Sequence, residues 1–297
     1  PRAPLSGLLS LAMLAGGLTV LMLDLGRPDR VIVAATHYNA SSVFAWNVLL
    51  YSGMAAIVAL YLWTLLERRM NRYAKAAGIA ALIWRFALTT GTGSIFAFLV
   101  ARQAYQSAVL APLFIVLSFA WGLAAFLIVQ AAMYAWNGQA LPEAVRARMA
   151  RLLGVFVAAA LYLVAVYHLT NLYFAKQAAF EAFILLGRGD PSGLFAPLFW
   201  LGYVLLGTLL PMLLLWLPQA AGPRSLLAAC ALVLLGAFAL LFVFIIGGQA
   251  FPLEIFPGYT ATSSFADGTA EIYSPRWPEW LLGFGGLGVA FLLTTIG

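Results

Sequence analysis

The run Leu5-Ser-Gly-Leu-Leu-Ser-Leu-Ala-Met-Leu-Ala-Gly-Gly-Leu-Thr-Val-Leu-Met-Leu23 closes abruptly on Asp24-Leu-Gly-Arg-Pro-Asp-Arg30, and that junction decides how the chain is read. The apolar part has the length of a membrane-crossing helix, which needs roughly 20 residues. Four charges, Asp24, Arg27, Asp29 and Arg30, then arrive within a few positions. Gly26 and Pro28 account for the end of the helix, because glycine tolerates the left-handed C-cap and proline cannot continue the helix. They do not account for Asp24. Its carboxylate still sits in the last apolar turn, where a charge is expensive unless it is paired or put to use. Arg27 is the expected partner. An Asp–Arg cap is one reading; a carboxylate able to take a proton from a ligand hydroxyl at the membrane edge is the other.

Working outward, the whole of this 297-residue chain repeats the first pattern. It is 64% hydrophobic and only 9% charged, too apolar for a soluble domain of this size. Eight segments are long enough to span, near 5–23, 43–66, 76–101, 109–136, 152–175, 196–216, 225–247 and 279–297. The expected fold is all-α: a polytopic transmembrane helix bundle forming one integral membrane domain over 1–297. The opening on Pro1 and the close inside an apolar run read as a trimmed piece of a longer chain. The single cysteine, Cys230, rules out an intrachain disulfide, a Cys-ligated iron–sulfur cluster and a Cys-x-x-Cys-His haem attachment within this sequence.

Eight spans place alternate connections on opposite sides. The side of residue 1 carries nine Lys or Arg in short loops, among them Arg68, Arg69, Arg72, Lys75 and the stretch Glu143 to Arg151; the other side carries six, and most of the acids. Short basic loops face the cytoplasm. The net charge of +6 therefore serves orientation and contact with lipid, not nucleic acid. The longer connections 24–42, 176–195 and 248–278 all fall on the far side, the periplasmic side of a bacterial inner membrane. The last is rich in proline and aromatics, including Phe256, Pro257, Tyr259 and Phe265, and holds Glu254, Asp267 and Glu271. Long loops gathered on one face either dock a partner or cover the helices beneath.

Few polar groups lie inside the spans. There are two histidines. His37 follows the opening motif, and His168, in Tyr167-His168-Leu169-Thr170-Asn171, lies roughly 10 Å inside its span. It is either packed and hydrogen-bonded or a proton-exchanging partner for a ligand oxygen. A haem b needs facing pairs of histidines, and only one histidine is deep. Arg85 lies about 13 Å inside the third span. Thr89, Thr90, Thr92 and Ser94 continue from it as a polar track toward Arg102, Gln103 and Tyr105, readable as a proton route or as small residues that let helices approach. Asn47, Gln130, Asn171, Glu181 and Glu254 complete the inventory as helix caps or interhelical bonds. Gly283-Phe-Gly285-Gly286-Leu-Gly288 has the spacing of a dinucleotide fingerprint, but no strand precedes it and it lies inside a span, so it reads as helix packing.

Met22-Leu-Asp-Leu-Gly-Arg-Pro-Asp-Arg30, then His37-Tyr38-Asn39 and Phe44-Ala45-Trp46-Asn47, resembles the NrfD/PsrC family of quinone-reactive membrane subunits. The exit Leu62-Trp63 to Glu67-Arg68-Arg69 looks most like the DsrP branch attached to dissimilatory sulfite reductase. The resemblance implies eight to ten helices, no haem, and electron exchange between menaquinone or ubiquinone and an iron–sulfur protein outside the cytoplasm. Family functional residues map onto Asp24 and Arg27.

The expectation is thus a membrane subunit of a redox complex, placed by the resemblance in dissimilatory sulfur metabolism. It binds menaquinone or ubiquinone and passes electrons to a periplasmic ferredoxin-like iron–sulfur subunit, with a cytochrome c subunit as a further partner. Asp24 and His168 are the expected proton acceptors. Asp24, Arg27, His37, Asn47, Tyr105, His168 and Asn171 are the expected quinone-binding residues. Arg85, Thr89 and Thr92 are the expected proton route, and no residue is assigned to a metal. The rivals are a secondary transporter or proton conductor, and a membrane anchor without chemistry.

Overall fold

The structure, a computed structural model, describes residues 2–217, 222–253, 268–270 and 272–296. Glu254, Asp267, Glu271, Phe256, Pro257, Tyr259 and Phe265 of the late loop lie outside the described residues. Among the described residues helix is the regular structure, and eight helices are long and apolar enough to cross a membrane. The protein is a multi-pass integral membrane protein, as its composition requires. Its outer faces carry Leu21, Ile83, Leu235, Phe238 and Phe291 largely uncovered. That surface would aggregate in water and is ordinary in lipid. Trp136 (92% exposed) and Tyr173 (87%) stand at span ends, where amphipathic rings settle at the headgroup level.

The chain folds as two compact units, residues 1–95 with 274–297, and residues 96–273. In the first, α1 (Arg2–Asp24) is followed by the short α2 (Val31–Thr36), α3 (Val43–Leu66) and α4 (Ala74–Ala97), whose last two residues belong to the second unit. The chain returns as α10 (Trp277–Ile296), which packs against α1. They cross where a side chain on Gly16 would come within 2.4 Å of the Gly286 carbonyl oxygen. The late glycine run is therefore a packing surface, at Gly286. Helices α3 and α4 are tied by polar bonds in an apolar setting. Asn47 donates from Nδ2 to the carbonyls of Val43 (3.0 Å) and Gly91 (3.2 Å), and Trp84 donates from Nε1 to the Leu50 carbonyl (2.8 Å).

The second unit contains α5 (Leu110–Trp136), α6 (Glu143–Tyr173), α7 (Ala175–Leu186), α8 (Phe195–Trp216) and α9 (Pro223–Ala250). Helices α8 and α9 meet backbone to backbone, a Cβ on Gly207 falling 2.5 Å from the Gly236 Cα. Parts of both helices are wound as π-helix, over Leu198–Leu209 and Phe242–Gly247.

Two loop expectations are corrected. Glu143 to Arg151 is not a loop but the first turns of α6. Pro142 precedes the helix, and the Glu143 carboxylate pairs with Arg146 three residues on, one bond being 2.9 Å. An acid in the first turn also complements the helix dipole. Most of 176–195 is likewise helical. Its apolar residues recur at helical spacing, and Gly187 ends α7 in the left-handed conformation (φ 68°).

Candidate functional site

The site grows out of the return of α7 against α6. The chain turns sharply at Phe174, which is extended (φ −85°, ψ 115°). From there α7 presents Gln177, Phe180, Glu181, Phe183 and Ile184 as a buried stripe at helical spacing. One member is an acid. Glu181 is 0% exposed, and an acid so buried must be paired. Its partners stand on the last turns of α6, where His168 and Asn171, three residues apart, share a face. Glu181 Oε2 lies 2.6 Å from His168 Nδ1, and Oε1 accepts a bond from Asn171 Nδ2 at 2.8 Å.

The imidazole is held edge to face by two rings, Tyr167 (4.9 Å between centroids) and Phe199 of α8 (4.7 Å). Nδ1 is committed to Glu181; Nε2 makes no hydrogen bond among the described residues. Beside the ring lies a narrow cavity of about 20 Å³. Its walls are apolar, from Leu117 of α5, Val164 of α6, Phe180 and Ile184 of α7, and Leu240 and Phe244 of α9; His168 and Tyr167 are the lining residues that carry polar atoms. Tyr167 has its hydroxyl donated to the Ala104 carbonyl, and His168 is the other lining residue with a polar side chain.

The connection 98–109 is pinned to the end of α9. Arg102 donates from Nη1 to the carbonyls of Gln249 (3.0 Å) and Phe251 (3.3 Å). Tyr105 donates its hydroxyl toward the carbonyls of Phe244 and Ile245, each at 3.3 Å. The π-helical turn presents those carbonyls together. Burial pushes the Tyr105 phenol up to about 12, against the opposing pull of the Arg102 charge. Its ring packs on Phe244, a wall of the cavity.

The expected site residues thus divide. Tyr105, His168 and Asn171 belong to the second unit and converge on the α6–α7–α9 region. Asp24, Arg27, His37, Asn47, Arg85, Thr89 and Thr92 belong to the first. Asp24 and Arg27 do not form the expected ion pair: both are exposed, and neither lines the cavity described here. With Gly26 and Pro28 the chain turns away after α1, and open surroundings remove the pressure to pair. His37 is exposed, its Nδ1 3.1 Å from the Thr36 hydroxyl. Asn47 is the α3–α4 clamp. Arg85, near the middle of α4, is half-buried and makes no ion pair among the described residues. Thr89 and Thr92 donate to the carbonyls of Arg85 (2.8 Å) and Leu88 (3.0 Å) on their own helix. Gln130 is buried with neither amide atom bonded among the described residues. No group of three or more His, Cys, Asp or Glu among the described residues is placed to hold a metal.

Glu181 is the functional candidate that sequence reasoning passed over as a cap or interhelical bond. A signal was present: an acid in the apolar stripe Phe180-Glu181-x-Phe183-Ile184 demands a buried partner, and the only deep histidine is His168.

Comparison with known proteins agrees with this architecture. The family profile described as polysulphide reductase, NrfD, matches residues 4–253, well beyond the first hundred residues. The chain is 29% identical over 289 residues to the Hdr-like menaquinol oxidoreductase integral membrane subunit of Archaeoglobus fulgidus, covering 96% of this chain and 72% of that one. It is 22% identical over 326 aligned positions to a selenate reductase subunit of Mesobacillus selenatarsenatis, covering 95% and 73%. An eight-helix membrane bundle matched over most of its length by that profile is a member of the family: the chain belongs to the NrfD polysulphide reductase family.

Proposed function

We propose that this protein is the quinone-reactive membrane subunit of a multisubunit oxidoreductase, a single integral membrane domain in a bacterial inner membrane. The observation that carries the reading is the narrow apolar cavity set against the buried His168–Glu181 pair. A quinone head group is a flat, largely apolar ring with an oxygen at each pole, and its isoprenoid tail belongs in lipid. Walls of Leu, Val, Ile and Phe suit the ring once they part to admit it, and His168 Nε2, which makes no hydrogen bond among the described residues, suits one oxygen. Menaquinone and ubiquinone both meet that description; the Archaeoglobus relative's name favours the first. When bound, such a carrier supplies two-electron, two-proton chemistry. The residues here bind and orient it, keep water from the ring, and exchange a proton at Nε2.

The reading assigns no redox centre to this chain and passes the electrons to or from a partner. We place that partner, a ferredoxin-like iron–sulfur subunit with a cytochrome c subunit behind it, on the side of the 24–42, 176–195 and 248–278 connections. The asymmetry of Lys and Arg between the two sides supports a periplasmic assignment for that side. Asp24, Arg27 and His37, exposed on that side of the first unit, form a second polar edge where carrier or partner meets the chain; Asn47 supports it from beneath. Arg85, Thr89 and Thr92 are the proposed proton route. Dissimilatory sulfur metabolism is the setting suggested by the DsrP-like motifs.

Val164→Phe tests the reading. It places a larger apolar side chain in the slot without adding charge, and quinone binding to the assembled complex is expected to be lost while assembly is retained. Normal binding would remove the cavity from the proposal. A transporter or inert anchor would show no redox turnover to lose.

A further inference from the structure

Resting on the quinone reading above, we infer that Glu181 is the positioning residue for His168: its carboxylate fixes the proton on Nδ1, turns Nε2 into an acceptor, and balances the charge that His168 gains there. A neutral imidazole has one N–H and one lone pair, and the bond made by one nitrogen decides the role of the other. With Glu181 ionised, its carboxylate 2.6 Å from Nδ1 is the acceptor, which puts the N–H on Nδ1 and the lone pair on Nε2. The same arrangement governs carboxylate-supported histidines in hydrolases and metal sites.

Burial gives the pair its second property. With Glu181 fully enclosed, its charge has no water to face. Asn171 Nδ2 satisfies Oε1, and Tyr167 does not compete, because its hydroxyl is donated to Ala104. When His168 Nε2 takes a proton from a quinol hydroxyl, the O–H bond breaks, an N–H bond forms, and Nδ1 keeps its own proton. The product is an imidazolium directly against the carboxylate, and attraction between charges is stronger in a low-dielectric site than in water. In the reverse direction His168 returns that proton. Helix α7 also closes one wall of the cavity through Phe180 and Ile184, so the residue that orients the imidazole rides on the element that shapes the slot.

The test uses the assembled complex and a short-tailed naphthoquinol as probe. Glu181→Gln keeps the size and removes the charge; turnover is expected to fall roughly 10²- to 10⁴-fold, with KM for the quinol little changed. Glu181→Asp should recover part of the loss. Because the chain has two histidines, nitrogen-15 spectra of histidine-labelled protein are assignable with a His37→Gln variant. His168 is expected as the Nδ1–H form in the wild type and as a mixture in Glu181→Gln. Wild-type turnover in Glu181→Gln, alongside slow turnover in His168→Gln, overturns this inference alone. An inactive Glu181→Gln with an unchanged histidine spectrum, not rescued by Glu181→Asp, also overturns it and leaves Glu181 a docking contact of α7. Wild-type turnover in His168→Gln overturns the site reading itself.

Discussion

Replacing Gly207 by alanine pits two effects of opposite sign. In an ordinary helix interior, alanine is favoured over glycine by about 1 kcal/mol. At the α8–α9 crossing, however, the new Cβ would lie 2.5 Å from the Gly236 Cα, 3.2 Å from the Gly202 oxygen and 3.4 Å from the Gly236 carbonyl carbon. Carbon atoms in contact sit at roughly 3.5–4.0 Å. The shortfall is about 1 Å, and backbone atoms cannot rotate out of the way. The helices must separate, at the roughly 1–3 kcal/mol typical of overpacking. The upper part of that range applies, so a net loss of about 1–2 kcal/mol is expected. The site should feel it as well: α8 carries Phe199 against His168, and α9 supplies Leu240 and Phe244 to the cavity. A displacement of that size near a reacting group can slow turnover by about 10²-fold. Denaturant unfolding of the detergent-solubilised protein, read by tryptophan fluorescence, measures the first quantity, and quinol turnover of the assembled complex the second. Gly283→Ala is the control, since an added Cβ there meets nothing within 4 Å; it should be neutral or gain up to about 1 kcal/mol. A Gly207→Ala protein as stable as wild type would refute the close crossing.

Three further outcomes follow from the same geometry. Tyr105→Phe removes bonds to the Phe244 and Ile245 carbonyls and should cost about 1 kcal/mol at neutral pH. Because burial raises this phenol from 10.0 to about 12, its contribution is complete below pH 10 and is lost as pH rises toward 12; alkaline unfolding curves of the variant should lack that decline. At Asp190, burial raises the carboxyl, but bonds from the Ser192 hydroxyl and the backbone N–H groups of Phe195, Ser192 and Gly193 outweigh it and hold it below its ordinary value. Its stabilisation is therefore fully present above the ordinary value and lost as pH falls through the lowered one, and Asp190→Ala should remove about 1 kcal/mol at neutral pH by uncapping α8. Asp24→Asn tests the acid singled out in the first motif: turnover in the assembled complex should be abolished with assembly intact, and unchanged turnover would remove Asp24 from the mechanism.

The sequence by itself determined the medium and therefore the class of fold. Long apolar runs can satisfy their backbone in lipid only as helices or closed barrels, so eight such runs meant eight helices. The Asp24–Arg30 junction and the Trp46-Asn47 start carried the family, because they are short, local and unusual at a helix end. Glycine spacing announced close helix crossings. Which helices cross, and at which glycine, was decided only by the tertiary structure: Gly286 meets α1, whereas at Gly283, Gly285 and Gly288 an added Cβ would meet nothing within 4 Å among the described residues. The same limit governed the site. Sequence pointed to Asp24 with Arg27 because they are neighbours in the chain, and neighbours need no fold to be noticed. The pair that forms is His168 with Glu181, thirteen positions apart on two helices, brought together by the turn at Phe174 and by an apolar stripe that carries its acid inward. A buried charge recruits whatever partner the packing delivers, and packing is the part of the chemistry that a linear reading does not contain.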